Sequence, residues 1–381
     1  MKKRALVVCP GRGTYNASEL GYLQKHHAGR SSIIDAVDAV RAEKGQVPVS
    51  ELDRTNKYAP SVHMTGDNAS PLIYACALAD FAAIDRDKFD VVAVTGNSMG
   101  WYLALACAGI VDLSAGAWLV NNMGLLMHQH GTGGQIVWPI VDADWKIDAK
   151  KVNFANALVD EAQNISDISI SVSIRLGGMV VFAGDEAGLK WLAEKLPKDD
   201  RFPLRLMHHA AIHSPLLQHI VPMARAQNPV ADFGFGNIPA IDGQGKIWSP
   251  HAFGADAIYA YTLGAQLTET YDFSRAVQVA AKLNSNGQRF DMAVNLSPVQ
   301  FRARHFEQPG IADVVMAAGI HAAGDVQADI AEVMQVVEVV ETLLDGLGDG
   351  DRLGVGQRAE VAARAGDHVG EQAGVGGAQP G

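Results

Sequence analysis

The 381-residue chain is 48% hydrophobic and 19% charged, with a formal net charge of −11 and an isoelectric point near 5.6. That balance can bury the core of one large or two ordinary domains, and it argues against nucleic acid or an anionic membrane as the main partner. The three cysteines, Cys9, Cys76 and Cys107, each lie in an apolar stretch without a CxxC pair, which reads as buried free thiols in a reducing compartment and argues against a metal site.

The chain opens with "MKKRALVVCPGRG". Its apolar run is too short for a signal peptide, and no stretch reaches the roughly 20 apolar residues that span a bilayer. A cytoplasmic location without membrane contact is expected. "RALVVCPGRGT" reads as a buried strand ending in a Pro/Gly turn, 71–84 as a helix and "FDVVAVTG", 89–96, as a central parallel strand. "SMGWYLALACAGI" and "LSAGAWLVNNMGLLMHQH" give two more helices. Strands alternating with helices predict an α/β fold with a parallel sheet. Residues 131–206 change character. "GGQIVWPIVD" and "ISISVSIRLGGMVVFAG" read as strands and "DEAGLKWLAEKLP" as a helix, which fits a small inserted α+β unit. Strand, loop and helix return with "RFPLRLMHHAAIHSPLLQHIVPMARA", and a helical region follows in "YAYTLGAQLTETYDFSRAVQVAAKL". The expected division is a core of 1–130 and 207–285, an insert of 131–206 and a divergent tail of 286–381. The tail is rich in Gly, Ala, Val, Asp, Glu and Arg, with few residues to pack; it is expected to be largely disordered, apart from one helix over about 326–345.

One serine stands between two glycines in Gly96-Asn97-Ser98-Met99-Gly100. The pattern G-x-S-x-G, with a strand before it and a helix after it, fits a nucleophile on a sharp turn. A glycine-rich turn with Ser98 capping the helix is the plainer alternative. A nucleophilic serine needs a base. Of the clustered histidines His208, His209, His213 and His219, His213 in "AAIHSPLL" is the best candidate, because small residues precede it and leave room for substrate.

"PGRGTY", "GNSMGWYLALACAGIVDLSAG", "GGMVVFAGDEAG" and "AAIHSPLL" occur in the order and spacing of the malonyl-CoA:acyl carrier protein transacylases, and the chain resembles that family over about residues 4–283. The resemblance implies an α/β-hydrolase-like core with a parallel sheet and an inserted ferredoxin-like subdomain. It implies Ser98 as nucleophile, His213 as base and an oxyanion hole from the backbone amides of Arg12 and Met99. It places a carbonyl or carboxylate near Asp272 to orient His213. It implies no bound cofactor and no metal. A coenzyme A thioester would be the substrate and acyl carrier protein the acceptor, in fatty acid biosynthesis. Lys2, Lys3, Arg4, Arg201 and Arg205 are candidate contacts for that acidic carrier.

The chain departs from the family at several positions. Asn97 replaces the usual histidine and still offers hydrogen bonds toward substrate. Arg12 stands where glutamine is usual. Met123 replaces the arginine that forks onto a malonyl carboxylate. Arg175 in "SIRLGG" is the candidate to supply that charge from the opposite wall; otherwise the acyl group is acetyl or another neutral one. After "AVQVAAKL" the chain reads "NSNGQRFDMAVNLSPVQFRARHF". This resembles a short piece of EAL-type cyclic dinucleotide phosphodiesterases without their acidic metal-binding motifs, so that activity is not expected. A shifted reading frame or a fused fragment is an equal reading. Two alternatives to acyl transfer stay open: a serine esterase or thioesterase using the same Ser98–His213 pair, and a non-catalytic carrier-protein binder.

Overall fold

The computed structural model describes residues 2–142, 146–199, 201–282 and 292–295. In chain order the strands are β1 (Lys3–Cys9), β2 (Phe89–Gly96), β3 (Gly134–Pro139), β4 (Ile170–Leu176) and β5 (Met179–Gly184). Then come β6 (Leu204–Arg205), β7 (Ala240–Ile241), β8 (Ile247–Trp248), β9 (Tyr271–Asp272) and β10 (Met292–Asn295). The longer helices are α1 (Ser31–Glu43), α2 (Gly66–Ala83), α3 (Gly100–Cys107), α4 (Leu113–His130), α5 (Ala149–Ala162), α6 (Glu186–Lys195), α7 (Ile220–Gln227), α8 (Ala255–Thr262) and α9 (Phe273–Lys282).

The first sheet has the order β10-β1-β2-β7-β8. Its first four strands are parallel and β8 returns antiparallel to β7. Ala5 to Cys9 are all buried, as a parallel strand covered on both faces requires. The α/β core with a parallel sheet is therefore as expected. The second sheet has the order β6-β3-β5-β4-β9. Its run β3-α5-β4-β5-α6-β6 is antiparallel throughout, which is ferredoxin-like. One face, with Ile136, Trp138 and Phe182, packs on Leu158 of α5 and on Leu189 and Leu192 of α6. The alternate residues Val137, Ile174, Leu176 and Val181 face the other way and join the main core. The helix α5 within the insert and α1 early in the chain have no counterpart in the sequence reading.

Two junctions tie the sheets together. β9 leaves the main body to pair parallel with β4, matching Ile174 to Tyr271 and Arg175 to Asp272. This short strand interrupts the helical region expected there. Helix α9 then packs against β2, β7 and β4. The four-residue β10 pairs with β1 from Ala5↔Met292 to Val8↔Asn295, so part of the stretch assigned to an irregular tail is an edge strand of the first sheet. The helix expected at about 326–345 lies outside the described residues. Among those described, no helix is long and apolar enough to cross a membrane. The three cysteines are buried and unbridged.

Candidate active site

The site begins at the end of β2. A strand running straight into a helix forces the connecting residue out of both regular conformations. Ser98 takes φ 55, in the left-handed region that a serine enters at a cost. The turn closes through Gly100 N–H to Asn97 O at 2.8 Å and Trp101 N–H to Ser98 O at 3.1 Å. Gly96 and Gly100 make it possible: a Cβ on Gly96 would strike the Gly100 backbone, and one on Gly100 would sit 2.9 Å from Pro10 O. Tyr271, at the sheet junction, donates its hydroxyl to Gly96 O at 2.5 Å and clamps the strand end.

His213 is fully buried and also has a positive φ, 59. Its Nε2 lies 2.7 Å from Ser98 Oγ and its Nδ1 lies 2.5 Å from Gln266 O. A carbonyl only accepts, so Nδ1 carries the proton and Nε2 presents its lone pair to the serine hydroxyl. Burial pushes His213 down to about 4, with the Gln266 bond opposing the shift. The imidazole is neutral at pH 7, the state a base needs.

Gln266 holds the site twice over. Its carbonyl orients His213, while its side chain donates to Ser98 O at 3.2 Å and accepts from the Tyr102 hydroxyl at 2.8 Å. Nothing in "GAQLTET" marks it from sequence, because the acting atom is a main-chain oxygen.

The expected roles of Asp272 and Arg175 are corrected. Asp272 does not contact His213: it caps α9 by accepting from Arg275 N–H at 2.8 Å, and Arg175 Nε stands 3.9 Å from its other oxygen. Arg175 is 46% exposed and does not line the cavity. Strand alternation is the reason. Ile174 and Leu176 point into the cavity, so the residue between them points out. Arg205, a candidate carrier contact, forks onto Glu186 at 2.5 and 2.9 Å and is already paired.

A cavity of about 130 Å³ opens beside Ser98. Arg12, Asn97 and Met99 line it, as does Met123 on α4. Its walls are mainly apolar, with Met64, Val120, Met127, Val137, Ile174 and Leu206 among them. The backbone amides of Arg12 and Met99 donate no hydrogen bond among the described residues. Asn97 Oδ1 is buried without a partner. One polar strand runs through the apolar wall. His209 Nδ1 meets Gln135 Oε1 at 2.9 Å, Gln135 Nε2 donates to Ser173 Oγ, and Ser173 donates to Ile212 O, each at 2.7 Å. Sequence reading missed this relay, although a glutamine inside the apolar run "GGQIVWP" was a visible signal. Among the described residues no group of three or more His, Cys, Asp or Glu could hold a metal ion.

No protein-family model matches the chain. It is 30% identical over 198 residues to the malonyl CoA-acyl carrier protein transacylase of Haemophilus influenzae, covering 50% of this chain and 57% of that protein. It is 27% identical over 224 residues to the phenolphthiocerol synthesis polyketide synthase type I Pks15/1 of Mycobacterium marinum, covering 56% of this chain and 9% of that one. The chain thus spans only part of the curated relatives it matches. The crystal structure of an acyl-carrier-protein S-malonyltransferase from Burkholderia pseudomallei superposes with a TM-score of 0.63 at 21% identity, covering 80% of this chain and 91% of that one. The resemblance to the transacylases stands, and the fold is theirs.

Proposed function

We propose that this chain is an acyltransferase that carries an acyl group on Ser98, from a coenzyme A thioester to the thiol of an acyl carrier protein. The observation that carries this reading is the aligned Ser98–His213–Gln266 array on a strained turn beside an apolar cavity. His213 Nε2 takes the Ser98 proton as Oγ attacks the thioester carbonyl. The developing oxyanion sits between the amides of Arg12 and Met99, which donate to no other acceptor among the described residues. Expulsion of the coenzyme A sulfur, with the proton returned from His213, leaves an acyl ester on Ser98. The carrier thiol reverses these steps: it gives its proton to His213, its sulfur takes the acyl group, and Ser98 recovers its hydrogen.

The apolar walls favour transfer over hydrolysis, because water that cannot be solvated there does not compete with the arriving thiol. The names of the relatives support coenzyme A and acyl carrier protein as donor and acceptor. A role in fatty acid biosynthesis in the cytoplasm is inherited from the same resemblance.

Intact-protein mass after mixing with malonyl-CoA is the direct test. A malonyl adduct is expected on the native chain and none on Ser98→Ala, with turnover in that variant lowered by about 10³-fold or more. Release of free acid faster than transfer to carrier protein would turn the reading to a thioesterase. A Ser98 that neither acylates nor labels with a fluorophosphonate would leave only a carrier-binding role.

A further inference from the structure

The cavity wall carries a second oriented imidazole, His209, which the Ser98 chemistry does not use. The direction of its relay fixes its proton. Ile212 O can only accept, so the Ser173 hydroxyl donates to it and takes a hydrogen bond from Gln135 Nε2. That leaves Gln135 Oε1 to face His209, and His209 Nδ1 carries the hydrogen between them. The other ring nitrogen, Nε2, therefore presents a lone pair. Burial and the nearby Arg12 guanidinium push the ring well below the usual histidine range, so it is neutral at pH 7. Nε2 bonds no group among the described residues, and it is not sealed in by protein as the buried partnerless atoms are; it opens onto the cavity that His209 lines. Gln135 and Ser173 are both buried, so the acceptor is held in a fixed orientation.

Its position says what it can meet. The neighbours Met207, 61% exposed, and His208 lie at the surface, so His209 stands where the cavity reaches solvent. Arg12 Nη2 ties this rim together by donating to Met64 O at 3.0 Å and to His208 O at 3.1 Å. The closed end lies at Tyr102, Val120 and Met123, all buried. An acyl group on Ser98 belongs in that closed end, and the arm that delivers or removes it passes the rim. Along a pantetheine arm the first polar group after the sulfur, two methylenes away, is an amide. Its N–H loses water on entering apolar walls and needs an acceptor. The side chains of Met64, Leu206 and Met207 offer none, whereas His209 Nε2 does.

We propose that His209 Nε2 accepts a hydrogen bond from the amide nearest the sulfur of the pantetheine arm, and so selects thioesters whose thiol half is an amide of cysteamine. This rests on the reading of Ser98 as the acyl carrier. Coenzyme A and a carrier protein share that arm, so one residue positions both the donor thioester and the accepting thiol.

The test compares Ser98 acylation, read by intact-protein mass, by two malonyl thioesters. One is the thioester of N-acetylcysteamine; the other is that of 2-acetoxyethanethiol, in which an ester oxygen replaces the amide N–H. The native chain is expected to favour the amide by about tenfold in kcat/KM, since the ester sets lone pair against lone pair. His209→Phe keeps a flat ring without the acceptor and should bring the two thioesters to within about twofold. Gln135→Leu lets the ring proton sit on either nitrogen and should fall between. General loosening of the rim would slow both thioesters alike and leave their ratio. A native chain that labels with a fluorophosphonate and shows no preference for the amide, or a preference kept in full in either variant, overturns the proposal and leaves acyl transfer through Ser98 standing. Absence of fluorophosphonate labelling overturns both.

Discussion

At the scale of single residues, the array is set by conformation before it is set by chemistry. Ser98 and His213 both occupy left-handed backbone, and each is locked there by neighbours. The sign of the His213 shift makes a pH prediction. Its pKa falls from an ordinary value near 6.5 to about 4 on folding. The neutral form is preferred in the folded state, so its contribution to stability is fully present above about pH 6.5 and lost as pH falls through 4. That contribution is about 3 kcal/mol. Acylation measured against pH should therefore stay flat from pH 7 to about 5 and fall only where the chain itself begins to unfold by circular dichroism. A half-fall near 6.5 in a folded chain would mean that the imidazole is not buried as described. Ser98 and His213 were legible in the sequence because turn and base each need specific side chains. The orienting acceptor was not, because it needs none.

At the scale of elements, register decides what a residue can do. The family resemblance put Arg175 on the cavity wall and a carbonyl or carboxylate near Asp272 beside His213. The phase of β4 and the pairing of β4 with β9 put them against each other instead, outside the cavity. Local pattern cannot reveal this, since a single step along a strand reverses the direction of every side chain. Asp272 is thereby a helix cap. Asp272→Ala should cost about 1 kcal/mol in denaturant unfolding and leave the rate of Ser98 acylation within twofold of native. A loss approaching that of His213→Ala would return Asp272 to the catalytic array. Helices α2 to α4 were readable because long apolar runs bracketed by turns leave few alternatives. Helix α5 was missed because its sequence "AKKVNFANALVDEA" buries only a narrow stripe, with Ala155, Leu158 and Ala162 covered.

Across the whole molecule, the cavity exists because two sheets face each other, and its integrity depends on segments distant in sequence. The first sheet carries Ser98, the second contributes Val137, Ile174 and Val181 to the opposite wall, and β9 with α9 joins them. β10 matters to the same frame. It covers the outer edge of β1, a strand whose residues from Ala5 onward are buried. An uncovered edge of that kind exposes unpaired backbone groups and invites pairing with other chains. A chain ended at residue 291 should melt lower and aggregate sooner than one ended at 295, as read by scanning calorimetry and light scattering. Equal behaviour would mean that β10 adds nothing to the sheet. The strand was hidden in the sequence because "MAVN" is short and lies in a stretch unlike the transacylases.

The carbonyl of Gln266 has a genetic consequence. Every amino acid supplies the same oxygen at that position, so no point mutation can delete it. On the proposed reading, an alanine scan of this protein would report at residue 266 only the loss of the side-chain bonds to Ser98 and Tyr102, and the orienting oxygen itself would pass unseen. Only substitutions that displace the loop, or chemical replacement of the peptide unit itself, could expose it. The orienting oxygen is thus independent of side-chain identity, whereas the side chain at residue 266 is constrained by its burial and its contacts to Ser98 and Tyr102.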